Sequence, residues 1–392
     1  MRMKKYLILA VTAAIVAVGC TKTFEVTPTP TDSNPIGFGT WANVLTKARA
    51  TASDDTAFGN GDVFDVYGYK TVGSTNNVVF TGDDVTATVS GSTVTWDYAP
   101  HRFWDPAASS YTFFAVLPAN QLAAEGANPY ATTGLFTSND ITFDDPTAFN
   151  NDILVADKTV AAGSGSAAPY SYAAYATSPY VQINFNHVAS CVDLLVKQDN
   201  TLGNATVTIT ALSLLNISNK GHFAVSAYAG SSPYAPTVEW TTATSSPTVL
   251  ETTASTGEYV ILDSTDNTDD VTVTGKTTYS SHSASSTTDD AAELFSGYVF
   301  MPQAIVAATQ QIKLSYTIQV GSEEPNVYND VVIDIRDFMT TDTDNNSGTQ
   351  ITAWAPKTKY IYTMTIGANY IQFSASVKEW ATTTNGYQYL IN

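Results

Sequence analysis

The stretch "YIQFSASVKEW", residues 370–380, sets Ile371, Phe373, Ala375 and Val377 against Gln372, Ser374, Ser376 and Lys378. Side chains repeating every second residue lie on opposite faces of an extended chain, so this pattern suits a half-buried strand and no helix. Just before it comes "YIYTMTI" (360–366), rich in β-branched and aromatic residues, with Gly367, Ala368 and Asn369 as a turn. Together they read as a β-hairpin with one face destined for a core.

The same short runs recur along the chain. "VFDVYGY", "NNVVFTG", "TATVSGSTVTWDY" and "SSYTFFAVLP" are strands, punctuated by Asn60-Gly61, Gly82-Asp83 and Ser90-Gly91. Beyond a Gly/Ala/Ser/Tyr/Pro stretch at 161–179 come "YVQINFNHVASCVDLLVK", "ATVTITALSLLNI", "GHFAVSAY", "EYVIL", "DVTVTG", "LFSGYVFMPQ", "QQIKLSYTIQV" and "YNDVVIDI". Only "ANQLAAEGA" (119–127) looks helical, and it is short. Many short strands at this spacing, without βαβ alternation or heptads, predict an all-β protein of sandwiches. A chain of 392 residues suits two domains, divided near the 161–179 segment.

The first twenty residues follow a different rule. "MRMKKYLILAVTAAIVAVGC" has a basic start at Arg2, Lys4 and Lys5, then an apolar stretch Leu7–Val18. That stretch is too short for a spanning helix and suits a signal peptide. Its end, "AVGC", resembles the bacterial lipobox, which implies cleavage before Cys20 and acylation of its thiol. Several acyl chains hold a protein to a membrane where one would be marginal. "TKTFEVTPTPTDSNP" (21–35) is an extended spacer, and "IGFGTWANVL" then alternates Ile36, Phe38 and Thr40 as a short strand.

The chain carries 36 acidic against 17 basic residues, a formal charge of −19. Phosphate binding needs the opposite surface, so nucleic acid is excluded as a partner. No GxGxxG, Walker loop, GxSxG, HExxH or CxxC occurs, and His101, His187, His222 and His282 lack ligand spacing, so neither an enzyme nor a metal or cofactor site is expected. "DTDNNSG" (342–348) starts like a calcium loop, but Gly348 comes one place late and Ala353 stands where the bidentate glutamate belongs. With Cys20 acylated, Cys191 has no partner in the chain and reads as a buried, inert thiol. His187, four residues from it along a strand, is roughly 13 Å away. Trp96, Tyr98, Phe103, Trp104, Tyr111, Phe113 and Phe114 form the densest aromatic region, which reads as core in preference to a sugar-stacking platform.

Taken in order, the lipobox at Cys20, "IGF", "WDY", "FW", "YTFFAVLP", "NDILVA" (151–156), "INFNHVASCVDLLV", "GYVFMPQ" and the ending "YIYTMTIGANYIQFSASVKEW" resemble the fimbrillins, subunits of type V pili of anaerobic Gram-negative bacteria. Where the family has Trp-Pro, this chain has Trp104-Asp105-Pro106. The resemblance implies two tandem transthyretin-like β-sandwich domains. Its layout is a signal peptide 1–19, a spacer 20–35, a removable strand segment 36–49, an N-terminal domain 50–178 and a C-terminal domain 179–392 ending in a tail 381–392.

It also implies a non-enzymatic structural subunit at the cell surface, anchored in the outer membrane by lipid and supporting adhesion to host or bacterial ligands. A trypsin-like protease removes the N-terminal segment, and the strand of a neighbouring copy or related subunit fills the groove it leaves. In this chain Arg49, with Lys47 as fallback, offers the cleavage point in a polar, turn-rich segment. Ile36 and Phe38 mark the displaced strand. Tyr387, Tyr389 and Ile391 share one face of the tail and mark the donor. Asn385-Gly386 also suits a type I′ turn that folds the tail back on its own sheet. A tip adhesin, an anchor subunit or a monomeric glycan-binding lipoprotein are the alternatives.

Overall fold

The computed structural model describes residues 35–40, 59–90, 93–122, 136–147, 152–156, 180–183, 185–226, 237–244, 249–253, 256–263, 270–277, 291–340, 349–368 and 370–380. They form an almost entirely β structure. The helical turns among them are the 3-10 segments Asn200–Leu202 and Ile335–Asp337.

The first ten strands are β1 (Gly37–Thr40), β2 (Val63–Val72), β3 (Thr75–Ser90), β4 (Thr93–Asp97), β5 (Ser110–Leu117), β6 (Phe136–Thr137), β7 (Ile141–Thr142), β8 (Leu154–Ala156), β9 (Tyr180–Ile183) and β10 (Phe185–His187). Six of them make an antiparallel sheet in the order β10-β8-β5-β2-β3-β4. Its strand β5 is buried on both faces, which accounts for the continuous apolar run of its sequence, whereas β3 exposes residues such as Asn77, Val78 and Thr88. Tyr111, Phe113, Ala115 and Leu117 face one cluster, whereas Phe114 and Val116 face another. The first cluster is closed over by β1 and β9, which pair parallel with Phe38 opposite Val181.

The remaining strands are β11 (Ser190–Asp199), β12 (Ala205–Leu215), β13 (Lys220–Ser226), β14 (Thr237–Thr242), β15 (Glu258–Leu262), β16 (Val271–Val273), β17 (Lys276–Thr277), β18 (Ala292–Phe300), β19 (Gln303–Ala304), β20 (Gln311–Val320), β21 (Asn326–Asp334), β22 (Met339–Thr340), β23 (Thr349–Gln350), β24 (Ala353–Trp354), β25 (Thr358–Ile366) and β26 (Ile371–Glu379). One sheet runs β17-β11-β25-β26-β22-β23 with β18 also on β11, and another runs β15-β12-β20-β21 with β16 on β12. Residues from both sheets fill the largest cluster, among them Leu194, Val207, Leu314 and Tyr362. The chain starts to build this core only at β11, because Val181, Ile183 and Phe185 belong to the first cluster.

A third cluster joins the two halves. It takes Tyr67, Phe114 and Val155 from the six-stranded sheet and Cys191, Phe223, Met301 and Trp380 from beyond it.

The closing hairpin forms as β25 and β26, antiparallel with Ile366 opposite Ile371. Its apolar face departs from the period-two expectation. Ala375 is buried and Ile371 and Phe373 pack at the edge of the largest cluster, but Val377 is 42% exposed. Among the described residues β26 pairs with β22 on its outer side at Ala375, opposite Thr340. The helix-like segment begins without a helix: Leu122 bridges Ser138, and residues 123–127 lie outside the described ones. Of the seven aromatics of 96–114, Tyr98, Trp104, Tyr111, Phe113 and Phe114 are buried core, as read from the sequence, whereas Trp96 and Phe103 are half-buried.

Candidate functional site

The short strand β1 occupies a groove built from four elements. Ile36 is 0% exposed and Phe38 2%, while the alternate residues Gly37 and Gly39 are half-buried. The Phe38 ring is boxed by Phe64 on β2, Phe80 on β3, Phe113 on β5 and Tyr98, with centroids 6.1, 5.4, 5.7 and 5.7 Å away. Three of the four contacts are edge-on or nearly so, the arrangement that aromatic quadrupoles favour.

Gly68 on β2 makes this box possible. A Cβ there would stand 2.7 Å from Phe80 Cδ2 and 2.9 Å from Phe113 Cδ1, so only glycine lets those two rings close beneath Phe38.

One end of the groove grips backbone. The Ile36 amide donates to the Arg102 carbonyl at 2.8 Å, and the Tyr98 hydroxyl donates to the Ile36 carbonyl at 2.8 Å. The Arg102 amide donates in turn to the Tyr98 hydroxyl at 3.1 Å, and Pro35 bridges Phe103. Burial pushes the Tyr98 phenol up to about 12, so it stays a proton donor at any working pH. The Arg102 guanidinium fastens this corner to β3, donating to the Val79 carbonyl at 3.3 Å and to Asp83 at 3.1 Å, and to the Pro100 carbonyl at 3.1 Å.

At the other end of the chain, Trp380 is the last described residue and is 5% exposed. Its indole stacks on the His187 imidazole at 3.8 Å, and its amide donates to the Lys357 carbonyl at 2.7 Å. His187 Nδ1 lies 2.6 Å from Asp152 Oδ1, with both side chains inaccessible. The last described residue is therefore a buried anchor in the cluster that joins the two halves.

Of the residues singled out in the sequence, Ile36 and Phe38 lie together in this groove. Cys20, Lys47, Arg49, Tyr387, Tyr389 and Ile391 lie outside the described residues, as do 342–348. Cys191 is buried at 1% exposure, and burial pushes its thiol well above the usual value, the setting of an inert cysteine. Among the described residues no group of three or more His, Cys, Asp or Glu side chains is placed to hold a metal, and no helix is long and apolar enough to cross a membrane. Arg102, Gly68 and Trp380 had no functional reading in the sequence, and Tyr98 was read there only as one of the core aromatics. The available signals were a glycine inside a strand and an arginine in a base-poor region.

The model of the fimbrillin-like family matches residues 48–380. Among curated proteins, none matches the sequence. A fimbrial protein from Bacteroides vulgatus superposes with a TM-score of 0.52 at 18% identity, covering 88% of this chain and 99% of its own. A proposed cell adhesion protein from Bacteroides uniformis gives a TM-score of 0.46 at 16% identity, covering 90% of this chain and 100% of its own.

Proposed function

The chain belongs to the fimbrillin-like family, structural fimbrial subunits and not a class of enzymes, and from that premise we propose that it builds a cell-surface fimbria by exchanging strands between copies. In this reading Cys20 carries the lipid that holds the exported protein at the outer membrane. A trypsin-like protease cuts after Arg49, or after Lys47, in a segment that follows β1. The N-terminal piece then departs with Ile36 and Phe38, and the tail of another copy enters the groove with Tyr387, Tyr389 and Ile391 inward. The N-terminal half and the part from β11 onward are its two sandwich domains, and the polymer supports adhesion.

The observation that carries this reading is the mismatch at β1. Two core side chains, Ile36 just before the strand and Phe38 within it, are supplied by a segment whose strand has only four residues, Gly37–Thr40, paired to β9. Burying two such side chains is worth about 3–6 kcal/mol together. Their removal would expose an apolar groove with an open strand edge on β9, a site suited to strand addition. A tail with three apolar side chains and more residues to pair would offset the ordering cost of association.

The reading is tested on surface protein isolated from cells, by N-terminal sequencing and by unboiled SDS gels. Mature protein starting at Ala50 and running as a ladder is the expected result. A chain that keeps residues 21–49 and stays monomeric after trypsin overturns it, and moves the glycan-binding lipoprotein reading ahead. Labelling with a palmitate analogue should be lost in Cys20→Ala, and equal labelling of both proteins would remove the lipid from the account.

A further inference from the structure

On β11, Val192, Leu194 and Val196 point into the largest cluster, so Cys191, Asp193 and Leu195 face the other way. Lys359 of β25 stands opposite Cys191, and Glu293 of β18 stands opposite Leu195. An amine and a second carboxyl thus flank Asp193 from its two neighbouring strands. We propose that Lys359 and Asp193 join in a covalent cross-link, an amide between Lys359 Nζ and Asp193 Cγ, with Glu293 carrying the proton. The proposal is independent of strand exchange.

The carboxyl of Asp193 is held as a reacting group would be. Lys359 Nζ lies 2.7 Å from Asp193 Oδ2, beside the carbon to which that oxygen is bonded. The other oxygen, Oδ1, accepts from the Gly297 amide at 2.7 Å and from the Ser296 hydroxyl at 3.2 Å. Both donors come from a bulge. Tyr298 is opposite Val192 and Phe295 opposite Leu194, so Ser296 and Gly297 together oppose the single residue Asp193. Gly297 has φ +69, a left-handed backbone that glycine adopts without strain. Two donors fixed on one oxygen polarise the carbonyl and can hold the charge that gathers there. Water has little access, since Asp193 is 6% exposed and the Lys359 side chain 27%.

The step balances without an outside reagent. At Lys359 burial works against the charge, but Cys191, Asp193 and Glu293 outweigh it, so the pair starts as ammonium and carboxylate. One ammonium proton passes to Oδ2 along the contact already made, leaving an amine beside a carboxylic acid. Nζ then bonds to Cγ while Oδ1 takes up the charge. Glu293 removes a proton from the nitrogen and returns it to Oδ2, whose bond to Cγ breaks, and one water leaves. Burial, with Asp193 adding to it, holds the Glu293 carboxyl above its ordinary value, which suits a proton carrier near neutral pH. The product replaces two poorly solvated charges by a neutral amide.

The bond would tie the strand that opens the largest core to the last strand but one. It closes a loop of 359 − 193 = 166 residues, which restricts the unfolded chain.

The test is a peptide map of the full chain after denaturation and trypsin. Segments 159–197 and 358–378 should appear as one branched species, lighter than their sum by one water and uncut after Lys359. In Lys359→Arg the two segments should separate, and the boiled protein should run more slowly on gels than the parent. Glu293→Gln leaves Lys359 and Asp193 in place and should form the bond about a hundredfold more slowly. A parent chain cut after Lys359, with 159–197 at its full mass, overturns the cross-link whatever the variants do. Loss of water that persists in Lys359→Arg places the reaction elsewhere and also overturns it. Bond formation at the parental rate in Glu293→Gln overturns the role of Glu293.

Discussion

The indole of Trp380 lies flat on the imidazole of His187, with ring centroids 3.8 Å apart and planes 8° from parallel. His187 belongs to β10 at the edge of the six-stranded sheet, and Trp380 directly follows β26 of the largest sheet. This single contact therefore ties the root of the C-terminal tail to the half of the molecule that holds β1. Asp152 fixes the imidazole from the other side, at 2.6 Å from Nδ1.

Replacing Trp380 with alanine should destabilise the chain by about 3–5 kcal/mol, the usual effect of emptying a large aromatic site in a core. Asp152→Ala should lose about 1–3 kcal/mol, since it strands a buried imidazole. Urea unfolding reads both. A Trp380→Ala loss below about 1 kcal/mol would mean that the junction is not a packed interface.

Gly68→Ala should push Phe80 and Phe113 apart and loosen the box around Phe38. A loss of about 1–3 kcal/mol is expected from the overpacking. Amide exchange of Phe38 and Gly39 should quicken in the same variant. Unchanged exchange with lowered stability would place the strain elsewhere in the sheet.

Phe38→Ala separates the precursor from the processed form. In the uncleaved chain it should cost about 3–5 kcal/mol. After cleavage behind Arg49 and loss of the N-terminal piece, the variant and parent should have the same melting temperature. A difference that persists after processing would show that β1 stays in its groove.

Asp65 gives a pH signature. Burial, ahead of the Asn120 amide that opposes it and the neighbouring Asp84 that adds to it, pushes its carboxyl up to about 6 from 3.8. The folded chain then holds this proton more tightly than the unfolded one. The stability from this site is present at low pH and is lost as pH rises from about 4 to about 6. Asp65→Asn keeps an acceptor for Asn120 and should be about 1–3 kcal/mol more stable than the parent at pH 7.5. The gap should close toward pH 4, and a gap independent of pH would refute the assignment.

Deleting residues 381–392 should leave the fold intact, because the packed hairpin ends at Trp380. Chain growth through that subunit's tail should stop, while its own groove still accepts a donor. Ladders of parental length from the deleted protein would make the tail an ordinary edge strand.

How much of this was legible depends on the range of the interaction concerned. The alternation of side chains is local, so β2, β5, β25 and β26 could be read directly, as could the burial of Ile36 and Phe38, the aromatic core and the inert Cys191. Periodicity assigns a residue to a face but says nothing of what lies opposite. For that reason Val377 shared the pattern of Ala375 and yet ended 42% exposed. Pairings that join distant segments carry no sequence period at all. The parallel register of Phe38 with Val181, the grip of Tyr98 on the Ile36 carbonyl and the stack of Trp380 on His187 arise only when separate sheets pack. The sequence thus determined a β structure with an apolar N-terminal strand. The tertiary packing alone decided that this strand lies in an aromatic groove with its backbone hydrogen-bonded at one end, because strand partners are chosen by the burial and hydrogen bonding of the whole assembly of sheets.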